Sequence, residues 1–194
     1  GGSVRRSGIT MEFTLTETEK RILLETARAT IEARLLGERA RLPEPTPTLK
    51  KKCGAFVTLH KQEKLRGCIG YVLATKALIE VVQEAAEASA FHDPRFPPLR
   101  KQELPEISVE ISVLSPLRPV QSPEEVQVGV HGVMMRKGLY SGLLLPQVAT
   151  EYGWDRETFL THTCYKAGLP GDCWREKDTQ IEVFSAIVFG EKHP

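Results

Sequence analysis

Residues Lys64–Val72, KLRGCIGYV, carry the residue types from which a reactive site could be made. A thiol becomes a nucleophile as its thiolate, and a neighbouring guanidinium favours that form. In a strand, side chains alternate between faces, so Arg66, Cys68 and Gly70 are expected on one face, with Ile69 and Tyr71 on the other. Gly67 and Gly70 would let a ligand approach the backbone. Cys68 is therefore a candidate nucleophile or hydrogen-bond donor, with Arg66, Gly67 and Gly70 as candidate ligand-binding residues. The alternative is that Cys68 is a small apolar filler, as cysteine often is. A second group is AFHDPRF, where His92 and Asp93 form a candidate acid–base pair and Arg95 a candidate anion holder on a proline-stiffened loop. Its alternative is a helix stop, since His suits a helix C-terminus and Asp-Pro suits a turn. His131, in VHGV, is a third candidate ligand-binding residue, with turn and core packing as its alternative.

Other chemistries find no support. There is no phosphate-binding glycine loop, no Gly-x-Ser-x-Gly elbow and no dinucleotide fingerprint, so the cofactor is unknown. The five histidines and four cysteines follow no metal-ligand spacing, and no metal site is expected. Cys53, Cys68, Cys164 and Cys173 are expected to be reduced thiols, the ordinary state in a cytosolic protein.

The elements that must position these residues can be read in order. Thr16-Glu17-Thr18-Glu19 is a capping box, and an apolar stripe from Ile22 to Leu35 predicts a helix over residues 17–36, stopped at Gly37. LPEPTPTL predicts an extended connector. GAFVTLH and LRGCIGYV predict a hairpin about Gln62-Glu63, with Val57 opposite Cys68, Leu59 opposite Arg66 and Ala55 opposite Gly70. The apolar groups on both faces suit a strand covered on both sides. A helix is expected over residues 76–91, ended by HDPRFPP, and EISVEISVL (106–114) alternates as a strand.

The second part of the chain repeats this order. GVHGVMMRKGLYSGLLLP is a hairpin turning near Lys137-Gly138, Asp155 caps a helix reaching Ala167, and TQIEVFSAIVF (179–189) is a last strand. Gly67 aligns with Gly142, 75 positions later. The expected fold is α+β: a mostly antiparallel sheet flanked by helices, from two pseudo-repeated ββαβ halves (about 50–115 and 126–190) plus the N-terminal helix. Residues 11–194 are read as one domain, and residues 1–10 as an expression remnant or disordered leader.

Composition sets the outer limits. Lys and Arg number 26 against 25 Asp and Glu, which gives no nucleic-acid footprint. No apolar run reaches the ~18 residues of a membrane span, and no signal-peptide core is seen, so the cytoplasm is the default location.

Taken together, LRGCIG, FHDPRFPPL, EISVLSP, HGV, GLLLPQVA-x-EYGW and CYKAGLP resemble, in order, the blocks of the AMMECR domain family, represented in prokaryotes by the A component of the AmmeMemoRadiSam system. The resemblance runs from about Phe13 to Phe189. It implies an α+β domain whose LRGCIG strand is the family hallmark. It also implies two partners: a Memo-like protein related to extradiol dioxygenases and a radical S-adenosylmethionine enzyme. The loop Gln62-Glu63 departs from the glycine-containing turn expected there. The resemblance names no reaction. Binding or modification of a small molecule or biomolecule at a cleft beside the LRGCIG strand, and a non-catalytic adaptor docking a partner, both stand.

Overall fold

The computed structural model describes residues 13–191, so the segment read as a leader lies outside the described residues. Helix α1 spans Glu17–Leu36. The Thr16 hydroxyl accepts from the Glu19 amide and the Glu19 carboxylate accepts from the Thr16 amide, both at 3.1 Å, and Gly37 closes the helix at φ 67°. Leu23, Thr26, Ala27 and Ile31 form its buried stripe. The Glu19 carboxylate also accepts from Thr46, which ties the proline-rich connector back to the start of α1.

The first half consists of β1 (Ala55–Lys61), β2 (Lys64–Tyr71), α2 (Leu78–Phe91) and β3 (Ile107–Leu114). A two-residue strand, β4 (Arg118–Pro119), leads into the second half. That half holds β5 (His131–Lys137), β6 (Tyr140–Leu144), α3 (Pro146–Tyr152), α4 (Arg156–Lys166) and β7 (Gln180–Gly190). Neither β4 nor α3 was expected. Pro146 starts α3 at the helix position that tolerates proline, and Gly153 ends it at φ 66°. The strands form one antiparallel sheet in the order β2-β1-β3-β7-β5-β6, with β4 paired to β7. Each half thus contributes a hairpin and one further strand, and β3 meets β7 at the seam between them.

Alternation fixes what each sheet face carries. Val57 and Leu59 of β1 and Val109, Ile111 and Val113 of β3 point to α1 and α2 and build the first core. Val133, Met135 and Val183 point to α3 and α4 and, with Phe159 and Leu160, build the second. On the opposite face the sheet curls. Val72 and Leu73, just past β2, border the same small void as Met134 and Leu143 of β5 and β6.

Expectations are corrected at two places, the first hairpin and the cysteines. In the hairpin, Gln62 and Glu63 do form the two-residue turn, at φ 53° and 64°. The register, however, shifts by one residue at a bulge between Leu59 and His60, so that Thr58, not Val57, faces Cys68, Gly67 faces Leu59, and Phe56 faces Gly70. Arg66 is the extra residue, and a bulge allows its side chain to be aimed apart from the strand's alternation. Nor is β2 covered on both sides: α2 packs on one face, while Cys68, Ile69 and Gly70 stay half-buried. The second correction concerns the thiols. Cys164 near the end of α4 and Cys173 in the following 3-10 turn form a disulfide, because the AGLPGD loop folds the chain back and brings their Cα atoms to 5.9 Å. Cys53 and Cys68 are free. Among the described residues no helix is long and apolar enough to cross a membrane.

Candidate functional site

The site begins with a sheet edge. β2 is the terminal strand of the sheet, so one row of its backbone groups has no neighbouring strand. Such rows recruit other chains unless they are covered. Here the end of α2 and the loop after it do the covering. The Asp93 carboxylate accepts from the Cys68 amide at 3.0 Å, and the Arg95 guanidinium donates to the Cys68 carbonyl at 3.3 Å. Asp93 and Arg95 are themselves paired at 2.8 Å, so one ion pair stands in for a strand. Ser89 of α2 completes the arrangement. Its hydroxyl donates to the Val57 carbonyl at 2.7 Å and accepts from the Ile69 amide at 2.9 Å, bridging β1 and β2.

This packing explains the glycines. A Cβ on Gly67 would stand well under 3.0 Å from the Ser89 carbonyl oxygen, and one on Gly70 equally close to the Ala55 carbonyl and the Phe56 ring. Both positions are therefore dictated by neighbours within the chain.

Cys68 lies on the helix-free face, half-buried, with the Thr58 hydroxyl 3.2 Å from its sulfur. Cys53 is the contrast: it is fully buried, and burial pushes its thiol up to about 11. Asp93 is almost fully buried, yet the Arg95 guanidinium, then the Cys68 and Arg95 amides, hold its carboxyl far below the usual range. It stays ionised, and its oxygens are committed to Arg95 and Cys68. It acts as a positioning residue for the strand. His92, beside it, caps α2 and is exposed.

Arg66 turns away to a different partner. Its guanidinium is buried and donates to both Glu103 oxygens at 3.1 and 3.2 Å and to the Pro97 carbonyl at 2.8 Å. Burial by itself would raise the Glu103 carboxyl, but hydrogen bonds from Arg66, the Arg100 amide and Lys61 outweigh it and hold it at about 2. The Arg66 charge is thus met by Glu103. Arg66 and Arg95 both lie over the Phe96 ring, at 5.9 and 5.5 Å, which gathers the 93–97 loop onto β2.

The structure therefore brings Cys68, Asp93 and Arg95 together, sets Arg66 behind them, and holds Gly67 and Gly70 against their neighbours. His131 is elsewhere, at the start of β5, four places from β2 in the strand order and on the helix side. Its Nδ1 accepts from the Gln127 amide at 3.1 Å. Thr58, Ser89 and Glu103 were not anticipated as site residues. Ser89 did carry a signal, a hydroxyl in an otherwise apolar helix stripe. Among the described residues, no three His, Cys, Asp or Glu side chains gather as a metal site.

Comparison with known proteins follows the same extent. The AMMECR1 family model matches residues 24–189. A protein of Methanothermobacter thermautotrophicus is 48% identical over 185 residues, 91% of this chain and 96% of its own. Protein PH0010 of Pyrococcus horikoshii is 43% identical over 196 residues, 95% of each chain. The crystal structure of uncharacterized protein PH0010 aligns with a TM-score of 0.71 at 42% identity, covering 93% of this chain and 95% of that one.

Proposed function

The chain belongs to the AMMECR1 family, and from that premise we propose that it is a binding component that holds a small molecule or a segment of a biomolecule on the helix-free sheet face beside Leu65–Gly70. Cys68 supplies the contacting thiol and Arg95 a cation at the rim. One observation carries this reading. Cys68 is only half-buried on the helix-free face, while its own amide and carbonyl are clamped by Asp93 and Arg95, so the thiol is carried on a fixed strand. Commitment of Asp93 to that clamp speaks for holding over proton transfer through Asp93. In line with the resemblance, the held group would be passed in the cytoplasm to or from a Memo-like protein and a radical S-adenosylmethionine enzyme.

The test is alkylation of the folded chain by iodoacetamide, with Cys53 as internal reference. Cys68 is expected to react at least about tenfold faster than buried Cys53. Equal protection of both thiols would sink the proposal. A second reading, an adaptor that docks a partner, is favoured by Leu65, Tyr71 and Leu73, which are 41%, 40% and 60% exposed along β2 and its end. In a partner-capture assay it requires Leu65→Lys with Leu73→Lys to abolish binding and Cys68→Ser to leave it unchanged.

A further inference from the structure

The two hydrophobic cores do not merge. Leu15 belongs to the first and Val183 to the second, and both border a cavity of about 680 Å³ along β7, at the seam of the two halves. That volume is in the range that holds a drug-sized molecule. Its walls are the N-terminal segment before α1, the connector around β4, and the start of β5.

The lining has a one-sided charge. Lys20 and Arg118 both face the cavity, His131 borders it, and among the described residues no Asp or Glu lines it. Lys20 does pair with Glu17 at 3.1 Å, but that carboxylate is 91% exposed, where water screens the attraction. Glu125 feels the Arg118 charge only after the Ser122 and Gln121 amides that hold it. Both cations therefore keep most of their field for an occupant. Between them the wall is apolar, with Phe13, Leu15, Val183 and Phe184.

We infer that this seam is a second binding site, for a small amphipathic organic anion: an aromatic or branched apolar body bearing one carboxylate, sulfonate or phosphate. Apolar burial supplies the affinity, and the two cations supply the choice of sign. The site lies apart from Cys68 and does not depend on the role given to that thiol.

The probe is 1-anilinonaphthalene-8-sulfonate, with N-phenyl-1-naphthylamine as the uncharged counterpart of similar shape, each followed by fluorescence on the folded chain. Saturable binding of the sulfonate is expected, weakened by added salt. The double change Lys20→Glu, Arg118→Glu is expected to weaken the sulfonate about tenfold and leave the neutral dye within about twofold. Arg118 is exposed, Lys20 keeps a quarter of its side chain in solvent, and a glutamate in the first turn of α1 suits the helix dipole, so folding is expected to survive. If that variant does not fold, Arg118→Ser alone serves, with about a threefold loss for the sulfonate only. Val130→Trp, at a 51% exposed rim position, is expected to weaken both dyes, and Cys68→Ser neither. Absence of saturable binding, equal response of the two dyes to the charge change, or indifference to Val130→Trp would overturn the assignment.

Discussion

In the first hairpin the glycine of the second strand, Gly67, lies against the Ser89 carbonyl, two residues before the end of α2. In the second hairpin its counterpart, Gly142, lies against Lys166 and Ala167 at the very end of α4, with a would-be Cβ 2.5 Å from the Ala167 amide nitrogen. The plan is shared: a strand pressed so closely on a helix that only hydrogen fits. The finishing differs. Around Gly67 the edge is held by charge, through Asp93–Arg95 and Arg66–Glu103. Around Gly142 the helix end is held covalently, by Cys164–Cys173, and Ser141 and Leu143 stand where Arg66 and Cys68 stand in the first half. The duplication thus explains the glycines, and only the features that differ between the halves point to function.

The sharpest way to break this comparison is to add a methyl group at each glycine. Gly67→Ala meets backbone inside a hydrogen-bonded helix and is expected to cost more than about 4 kcal/mol, enough to prevent folding of a marginal chain. Gly142→Ala meets a terminal residue that can yield, and about 2–3 kcal/mol is expected. Equal values in denaturant unfolding would mean that the two contacts are equivalent after all.

The charged clamp of the first half comes next. Arg66→Met leaves Glu103 buried with Lys61 as its remaining side-chain partner, and about 3 kcal/mol is expected to be lost. The same groups set an acid response. The folded carboxyls of Glu103 and Asp93 are depressed below their ordinary values of 4.5 and 3.8. Their contribution is therefore complete above pH 4.5 and is lost as pH falls toward the folded values, about 2 for Glu103. Hydrogen exchange should show the Cys68 and Ile69 amides losing protection in acid before the β6 amides do. Simultaneous loss would remove the distinction between the edges.

The covalent staple is a smaller matter. Cys164 and Cys173 are 9 residues apart, and closing so short a loop restrains the unfolded chain by about 2–3 kcal/mol. Replacing both by alanine should cost that amount without changing Cys68 alkylation. The smallest effect belongs to the turns. The second hairpin turns through Gly138 at φ 58°, whereas the first forces Gln62 and Glu63 into the same region. Glu63→Gly should stabilise the chain by about 1 kcal/mol in the same assay.

Much of the fold was legible because it rests on local rules. The Thr16–Glu19 box, the Gln62-Glu63 turn, the Asp155 cap and the repeated ββαβ order all act within a few residues or within one period. The bulge at Arg66 was not legible, since Gln62-Glu63 fixes the pairing only near the turn and the slip is set further along by what Arg66 finds at Glu103, 37 residues away. The disulfide was missed because the nine-residue spacing matches no pairing motif, and the two thiols meet only once the AGLPGD loop has folded the chain back onto α4. For the site, AFHDPRF and LRGCIG each stood out, but their union through the Cys68 backbone is a tertiary fact. No spacing in the sequence encodes a carboxylate acting as a strand.

The place of β7 has a consequence for how the chain is made. The first half is complete once Leu114 exists, but one side of β3 then has no strand beside it until Gln180–Gly190 arrives. At about 5–20 residues per second, the stretch from Leu114 to Gly190 takes roughly 4–15 s on the ribosome. During it, β3 exposes an adhesive flank to every other nascent chain. A chain cut short before β7 should therefore yield aggregates, and this late strand is the one that makes the earlier half safe.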